Sequence, residues 1–250
     1  MFCQLDALRQ CLPSSVRRTL EDLPESLDET YERIVMDIKE ANRAHAYRML
    51  QCLTVAIRPL SVDELAELLA LDFDAAKGGV PTLNTDWRWH DHEQAVLSTC
   101  SRLITIVRVP IDGSQVVQFS HFSVKEFLMS DRLATSTKDI SRYHISPEDA
   151  NTVIAQACLG VLLRDPVDNN VTDSVSLAGY AARYWVTHAQ VENVASRIRD
   201  GMKHLFDPNK SYVSAWIQLH DVDYGYDPDD LLIKRQPEAA PLLCCALWIQ

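Results

Sequence analysis

Residues 119–128 read FSHFSVKEFL, and they bring His121 within two positions of Ser123 at the end of an alternating stretch. Histidine beside a hydroxyl is the residue pair of base-assisted nucleophilic catalysis, in which the imidazole takes the hydroxyl proton and a third group holds the ring. No acid is placed by spacing to orient His121. Ser123 has a simpler use as well: with Glu126 three residues on, it reads as a capping box that opens a helix. That leaves His121 as a plug bonded to a nearby carbonyl, or as a contact for an anion, roles that an imidazole fills equally well.

Two other clusters suggest metals and fail on spacing. In His90-Asp91-His92-Glu93 the histidines at i and i+2 of a helix start diverge, and no third ligand is indicated; Asp91 is explained as a helix cap. In the acidic run from Asp221 to Asp230, a calcium loop would need glycine at its sixth position and glutamate at its twelfth, where Tyr226 and Leu232 stand. It reads as an exposed acidic loop. The seven cysteines form no C-x-x-C pair and most lie among apolar neighbours, as reduced buried thiols do. No metal site and no catalytic residue is expected.

The chain has 250 residues, 47% of them hydrophobic and 24% charged, enough for one large domain or two small ones. With 35 acidic against 24 basic residues the formal net charge is −11, contrary to what a phosphate-binding surface needs. No apolar run approaches the ~20 residues of a membrane span, and MFCQLDALRQ carries charge too early for a signal peptide. A cytoplasmic protein with neither nucleic-acid nor membrane partners is expected.

The elements that must position His121 are legible in order. Ser26 with Glu29 starts a helix over DETYERIVMDIKEA, and Ala46, Met49, Leu50, Leu53 and Ile57 form one stripe of a helix from about 43 to 56. Pro59 ends it. Ser61 with Glu64 opens a short helix with Val62, Leu65, Ala66 and Leu69 inward. Residues 71–90 read as a long loop, after which Asp91 with Gln94 starts a helix ending near Cys100. Leu103–Val109 and Gln115–Ser120 then alternate around Asp112-Gly113, a hairpin signal. Helix, short extended piece, helix, helix, hairpin is the order of a winged helix, three helices on a small sheet whose hairpin is the wing. A winged helix often reads DNA, so a DNA-binding transcription regulator is the alternative function. Its would-be recognition helix, DHEQAVLSTCSR, has two acids at its start and one arginine at its end, which repels phosphate.

Beyond a polar joint at 134–146 the pattern becomes wholly helical. Ser146-Pro147 is a cap with proline at the first helical position. Ile154, Ala157, Cys158, Val161 and Leu162 make one stripe, and Leu177, Tyr180, Ala181, Tyr184, Trp185 and His188 the most regular one. Val191 to Leu205 and Tyr212 to Leu219 repeat the pattern, as in a bundle or the start of a solenoid. The aromatic stripe reads as core. The fold class is mainly α, a winged-helix domain followed by a helical connector. The final PLLCCALWIQ looks like a helix cut off before its partner, so a longer protein is expected.

LPESLDETYERI (23–34), RPLSVDELAELLALD (58–72), VVQFSHFSVKEFL (116–128) and SLAGYAARYWVTHA (176–189) together resemble the region after the NACHT nucleotide-binding domain in fungal STAND signalling proteins, over about residues 1–206. PLLCCALW (241–248) is weakly similar to the opening helix of an ankyrin repeat. The resemblance implies residues 1–40 as the helical end of a NACHT-type module, 41–135 as the winged helix, 146–235 as the connector and 236–250 as the truncated start of an ankyrin-type repeat. It implies a NACHT domain, in cis or trans, and ankyrin-type repeats as partners. His121 falls where the family's winged helix carries the histidine of a Met-His-Asp motif, close to the β-phosphate of ADP. Ser120 and Phe122 replace the methionine and the aspartate, so only His121 is carried over, as a nucleotide sensor.

No G-x-x-x-x-G-K-[ST] occurs in the chain, whose glycines stand at 78, 79, 113, 160, 179, 201 and 225. ADP or ATP is therefore implied only for a NACHT domain outside this chain, which itself needs no cofactor and is expected to be a non-catalytic regulatory module, not an enzyme.

Overall fold

The computed structural model describes residues 26–77, 79–136, 139–164 and 176–219. The first 25 residues, residues 165–175, the acidic run from Asp221 and the PLLCCALW stretch lie outside the described residues.

Helix α1 (Leu27–Met36) starts where Ser26 Oγ accepts the Glu29 N–H at 3.2 Å. Helix α2 (Arg43–Val55) buries Ala46, Met49 and Leu50, while Ile57, beyond the helix end, is half exposed. Strand β1 (Leu60–Ser61) leads straight into α3 (Val62–Leu69), whose capping box is complete: Ser61 Oγ accepts the Glu64 N–H at 3.1 Å, and Glu64 Oε2 accepts the Ser61 N–H at 2.8 Å.

The stretch that reads as a loop from 71 to 90 is instead an antiparallel hairpin, β2 (Leu71–Lys77) and β3 (Val80–Leu83), turned with Gly79 at φ 76°. Its pairing is irregular between Asp72 and Lys77. A short 3₁₀ turn (Thr85–Trp87) then precedes α4 (His92–Cys100), capped by Asp91 through a 2.8 Å bond from the Gln94 N–H. Strands β4 (Ile104–Arg108) and β5 (Gln115–Phe119) pair in continuous register from Ile104–Phe119 to Arg108–Gln115, and β1 adds to the far edge of β5. The sheet order β1-β5-β4 on α2, α3 and α4 is a winged helix with an extra hairpin inserted between its second and third helices. The wing turn holds Gly113 at φ 73°.

Helices α5 (Phe122–Leu128) and α6 (Asp131–Ala134) follow, then a 3₁₀ segment (Asp139–Tyr143) that buries Ile140 and Tyr143. The joint is packed against the winged helix: Tyr47 Oη donates to the His144 carbonyl at 2.7 Å, and the Ile145 N–H donates to the Leu128 carbonyl at 2.8 Å. Helix α7 (Pro147–Leu162) carries the Ser146 cap and proline at its start. Helices α8 (Ala178–Ala189), α9 (Val194–Arg197), α10 (Arg199–Leu205) and α11 (Tyr212–Leu219) complete the described chain. The Val191–Leu205 stripe is thus two short helices, entered through Asn193 in the left-handed region at φ 63°.

Helix α7 packs on α2, α8 and the β2–β3 hairpin, and the buried side chains of both parts belong to one continuous apolar cluster. The hairpin fits because two glycines make room. A Cβ on Gly160 would lie 2.4 Å from the Pro81 carbonyl oxygen, and one on Gly201 would lie 2.6 Å from Val80 Cγ2, both inside contact distance. Among the described residues no helix is long and apolar enough to cross a membrane.

Candidate functional site

His121 lies at the end of β5 as the N-cap residue of α5, in extended conformation and exposed. The structure corrects the capping assignment. The cap is His121 itself, whose Nδ1 accepts the Ser123 N–H at 3.3 Å; Ser123 is already inside the helix and Glu126 is exposed one turn on. Ser123 Oγ instead stands 2.7 Å from His121 Nδ1 and 2.8 Å from the Tyr31 hydroxyl of α1. An Nδ1 that accepts from a backbone N–H carries no proton, so Ser123 donates to it and Tyr31 donates to Ser123. Tyr31 is buried beside Phe127, with ring centroids 5.5 Å apart. The relay Tyr31–Ser123–His121 fixes the tautomer and leaves Nε2–H as the donor of an exposed ring. The neighbouring Phe122 ring lies 4.3 Å from it and is 69% exposed.

The other sequence candidates are accounted for locally. His92 Nδ1 bonds Asp63 at 2.6 Å, Asp91 is the cap of α4, and among the described residues no group of three His, Cys, Asp or Glu is placed to hold a metal. Cys52, Cys100 and Cys158 are free thiols that burial pushes well above the ordinary cysteine range, which makes them inert.

A second constellation, in which Asn151 meets His188 across 37 positions and Ile57 meets Tyr180 across 123, joins the winged helix to the helical part. His188 on α8 is fully buried; its Nδ1 is 2.7 Å from Asn151 Oδ1 and its Nε2 2.9 Å from the Tyr180 hydroxyl. Asn151 donates its amide N–H to the Pro147 carbonyl at 2.7 Å, which leaves Oδ1 as the acceptor facing His188. The ring therefore donates through Nδ1 and accepts from Tyr180 at Nε2. Burial holds His188 down at about 4, so it is neutral at physiological pH. Tyr180 in turn accepts the Ile57 N–H, at the end of α2, at 3.1 Å.

Arg58, the next residue, lies 5.1 Å over the Tyr180 ring and 6.0 Å over that of Tyr184. It also forms a bidentate pair with Glu64 at 2.9 and 2.6 Å, the same carboxylate that closes the α3 capping box. The sequence marks these residues only as an aromatic core stripe and a capping box; their joint use depends on the packing of α8 beside the α2–β1 turn. Proline at 59 is the local signal, since it forces Arg58 out of helical geometry.

Residues 31–138 match the family described as GPI inositol-deacylase, winged helix domain. The match starts within α1, at Tyr31, the residue whose hydroxyl bonds Ser123. Over 212 residues the chain is 31% identical to the azaphilone pigments biosynthesis cluster protein L of Monascus ruber, covering 82% of this chain and 43% of that protein. The chain thus spans less than half the length of this curated relative. No solved structure matches it significantly. Sequence order, sheet topology and family match agree that this chain carries a winged helix, similar to that of the GPI inositol-deacylase family, with a packed helical extension.

Proposed function

We propose that the chain is a non-catalytic regulatory module of a NACHT-type signalling protein, coupling a nucleotide-binding domain to a C-terminal recognition array. The observation that carries this reading is the Arg58–Glu64–Tyr180–His188–Asn151 network, buried apart from the half-exposed Arg58, which ties the winged helix to the helical extension so that they turn as one body. A displacement at one end then reaches the other without loss in a soft joint. His121 supplies the input contact: its Nε2–H, aimed outward by the Ser123–Tyr31 relay, is a donor for a phosphate held on a neighbouring domain. ADP or ATP is the nucleotide, bound by that domain and not by this chain. The PLLCCALW segment leads into ankyrin-type repeats as the output.

Hydrolysis at Ser123 is disfavoured because, among the described residues, no carboxylate is bonded to His121 to orient it as a base. DNA reading is disfavoured because α4 begins with Asp91 and Glu93 and pairs His92 with Asp63. The test uses the full-length protein with its nucleotide-binding domain. His121→Ala should speed release of a fluorescent ADP analogue in a stopped-flow chase; an unchanged off-rate sinks the sensing role of His121. Salt-dependent retardation of mixed duplex DNA by this chain would favour the DNA-reading alternative.

A further inference from the structure

Two of the three residues in Trp87-Arg88-Trp89 face solvent, Trp87 at 45% and Trp89 at 51% exposure, just ahead of α4. Large rings left in water are costly, and tryptophan is the residue type most concentrated at binding hot spots. Their display is built into the loop. Asn84 Oδ1 accepts the Asp86 N–H at 3.0 Å, and the Trp87 and Arg88 N–H groups close the 3₁₀ turn at 3.1 and 3.2 Å. Arg88 points inward and its Nη2 bonds the buried Glu67 of α3 at 2.6 Å. With the arginine anchored, the tryptophans on either side are held in place before any partner arrives, which lowers the ordering cost of binding.

Both rings line a groove of about 770 Å³ between α2 and α4, open to solvent, with His45 on one wall and Ser98 on the other. Apart from the imidazoles of His45 and His90, its uncompensated charge is acidic. Asp86 and Asp91 are exposed at its rim, while the one arginine in its lining is neutralised by Glu67. Burial and the nearby Arg48 hold His45 below the ordinary histidine value, which disfavours a positive charge there. An acidic aromatic groove attracts cations whose stems are apolar, because the indole face is the best aromatic partner for an ammonium or guanidinium group.

We propose that this groove docks an extended segment of a partner protein through lysine or arginine side chains laid across Trp87 and Trp89. The site is separate from His121 and does not depend on nucleotide sensing.

The test is fluorescence anisotropy with two labelled eight-residue peptides, one alternating lysine and leucine, the other glutamate and leucine. The lysine peptide should bind saturably, and binding should weaken with added salt. Trp87→Ala with Trp89→Ala should weaken it by at least about tenfold, and Asp86→Asn should weaken it several-fold, with thermal unfolding unchanged in each. If the double alanine variant does not fold, Trp87→Phe with Trp89→Phe and Asp86→Asn carry the test, the first retaining part of the affinity. Equal binding of the glutamate peptide, undiminished binding by the variants, or no binding at about 1 mM peptide would each overturn the proposal.

Discussion

Acid should loosen this protein at one identifiable residue, His188. An exposed histidine titrates near 6.5, whereas burial holds His188 at about 4 in the fold. Between those values the unfolded chain binds a proton that the native protein does not, so stability rises with pH across that window. The contribution is fully present above pH 6.5, falls as the pH is lowered, and is gone below about 4. The gap corresponds to about 3 kcal/mol, of which ~2 kcal/mol is lost by pH 5.

The geometry explains why the charged ring is rejected. A protonated Nε2 would donate toward Tyr180, whose oxygen already accepts the Ile57 N–H, and the Tyr180 O–H would lose its acceptor. Urea unfolding at pH 7.5 and pH 5 should show a stability loss that shrinks by roughly 2 kcal/mol in His188→Gln, because the glutamine does not titrate. NMR of the His188 ring protons should give a midpoint near 4 in the folded protein. A midpoint near 6.5, or an equal pH dependence in wild type and His188→Gln, would refute the argument.

Three further outcomes are expected. Arg58→Met leaves the Glu64 carboxylate, 7% exposed, without its bidentate partner and should cost about 2 kcal/mol in chemical denaturation. A cycle with Glu64→Gln should recover part of that loss. Gly160→Ala drives a methyl into the Pro81 carbonyl and should destabilise by roughly 1–3 kcal/mol, whereas Gly179→Ala, with nothing within 4 Å, should be neutral or slightly stabilising in the same melt. Ser123→Ala removes the donor to His121 and the acceptor of Tyr31, and should cost about 1 kcal/mol.

The winged helix and the start of its helical extension are legible wherever their signals are local. Ser61 with Glu64, Asp91 with Gln94, and Ser146-Pro147 act within one turn, so residue type and spacing suffice to identify them. The wing was legible because its alternation is regular and its turn is Asp112-Gly113. The β2–β3 hairpin was not. Gly78-Gly79 is a two-residue turn signal, but Asp72, Asp74 and Pro81 dilute the strand pattern, and the stabilising contacts come from Gly160 and Gly201, far along the chain. The cap falls at His121 although Ser123 is the commoner capping residue type. The tertiary bond to Tyr31 claims the hydroxyl instead. For the network around Tyr180 the sequence marks only separate parts, the aromatic stripe, the Ser61–Glu64 box and Pro59, because Ile57, Asn151 and His188 meet only in the folded chain.

The two hairpins also differ in what can be attached to them. Ile111 at the wing tip is 93% exposed, and a Cβ on Gly113 would meet nothing within 4 Å. At the other turn a Cβ on Gly79 would stand 3.4 Å from Gln156 Nε2 and 3.6 Å from the Arg197 carbonyl. The wing is therefore the natural handle of the molecule: a fluorophore or an epitope grafted at Ile111 can follow its rotation, while the same graft at the inner turn would act as a crowbar between the two halves.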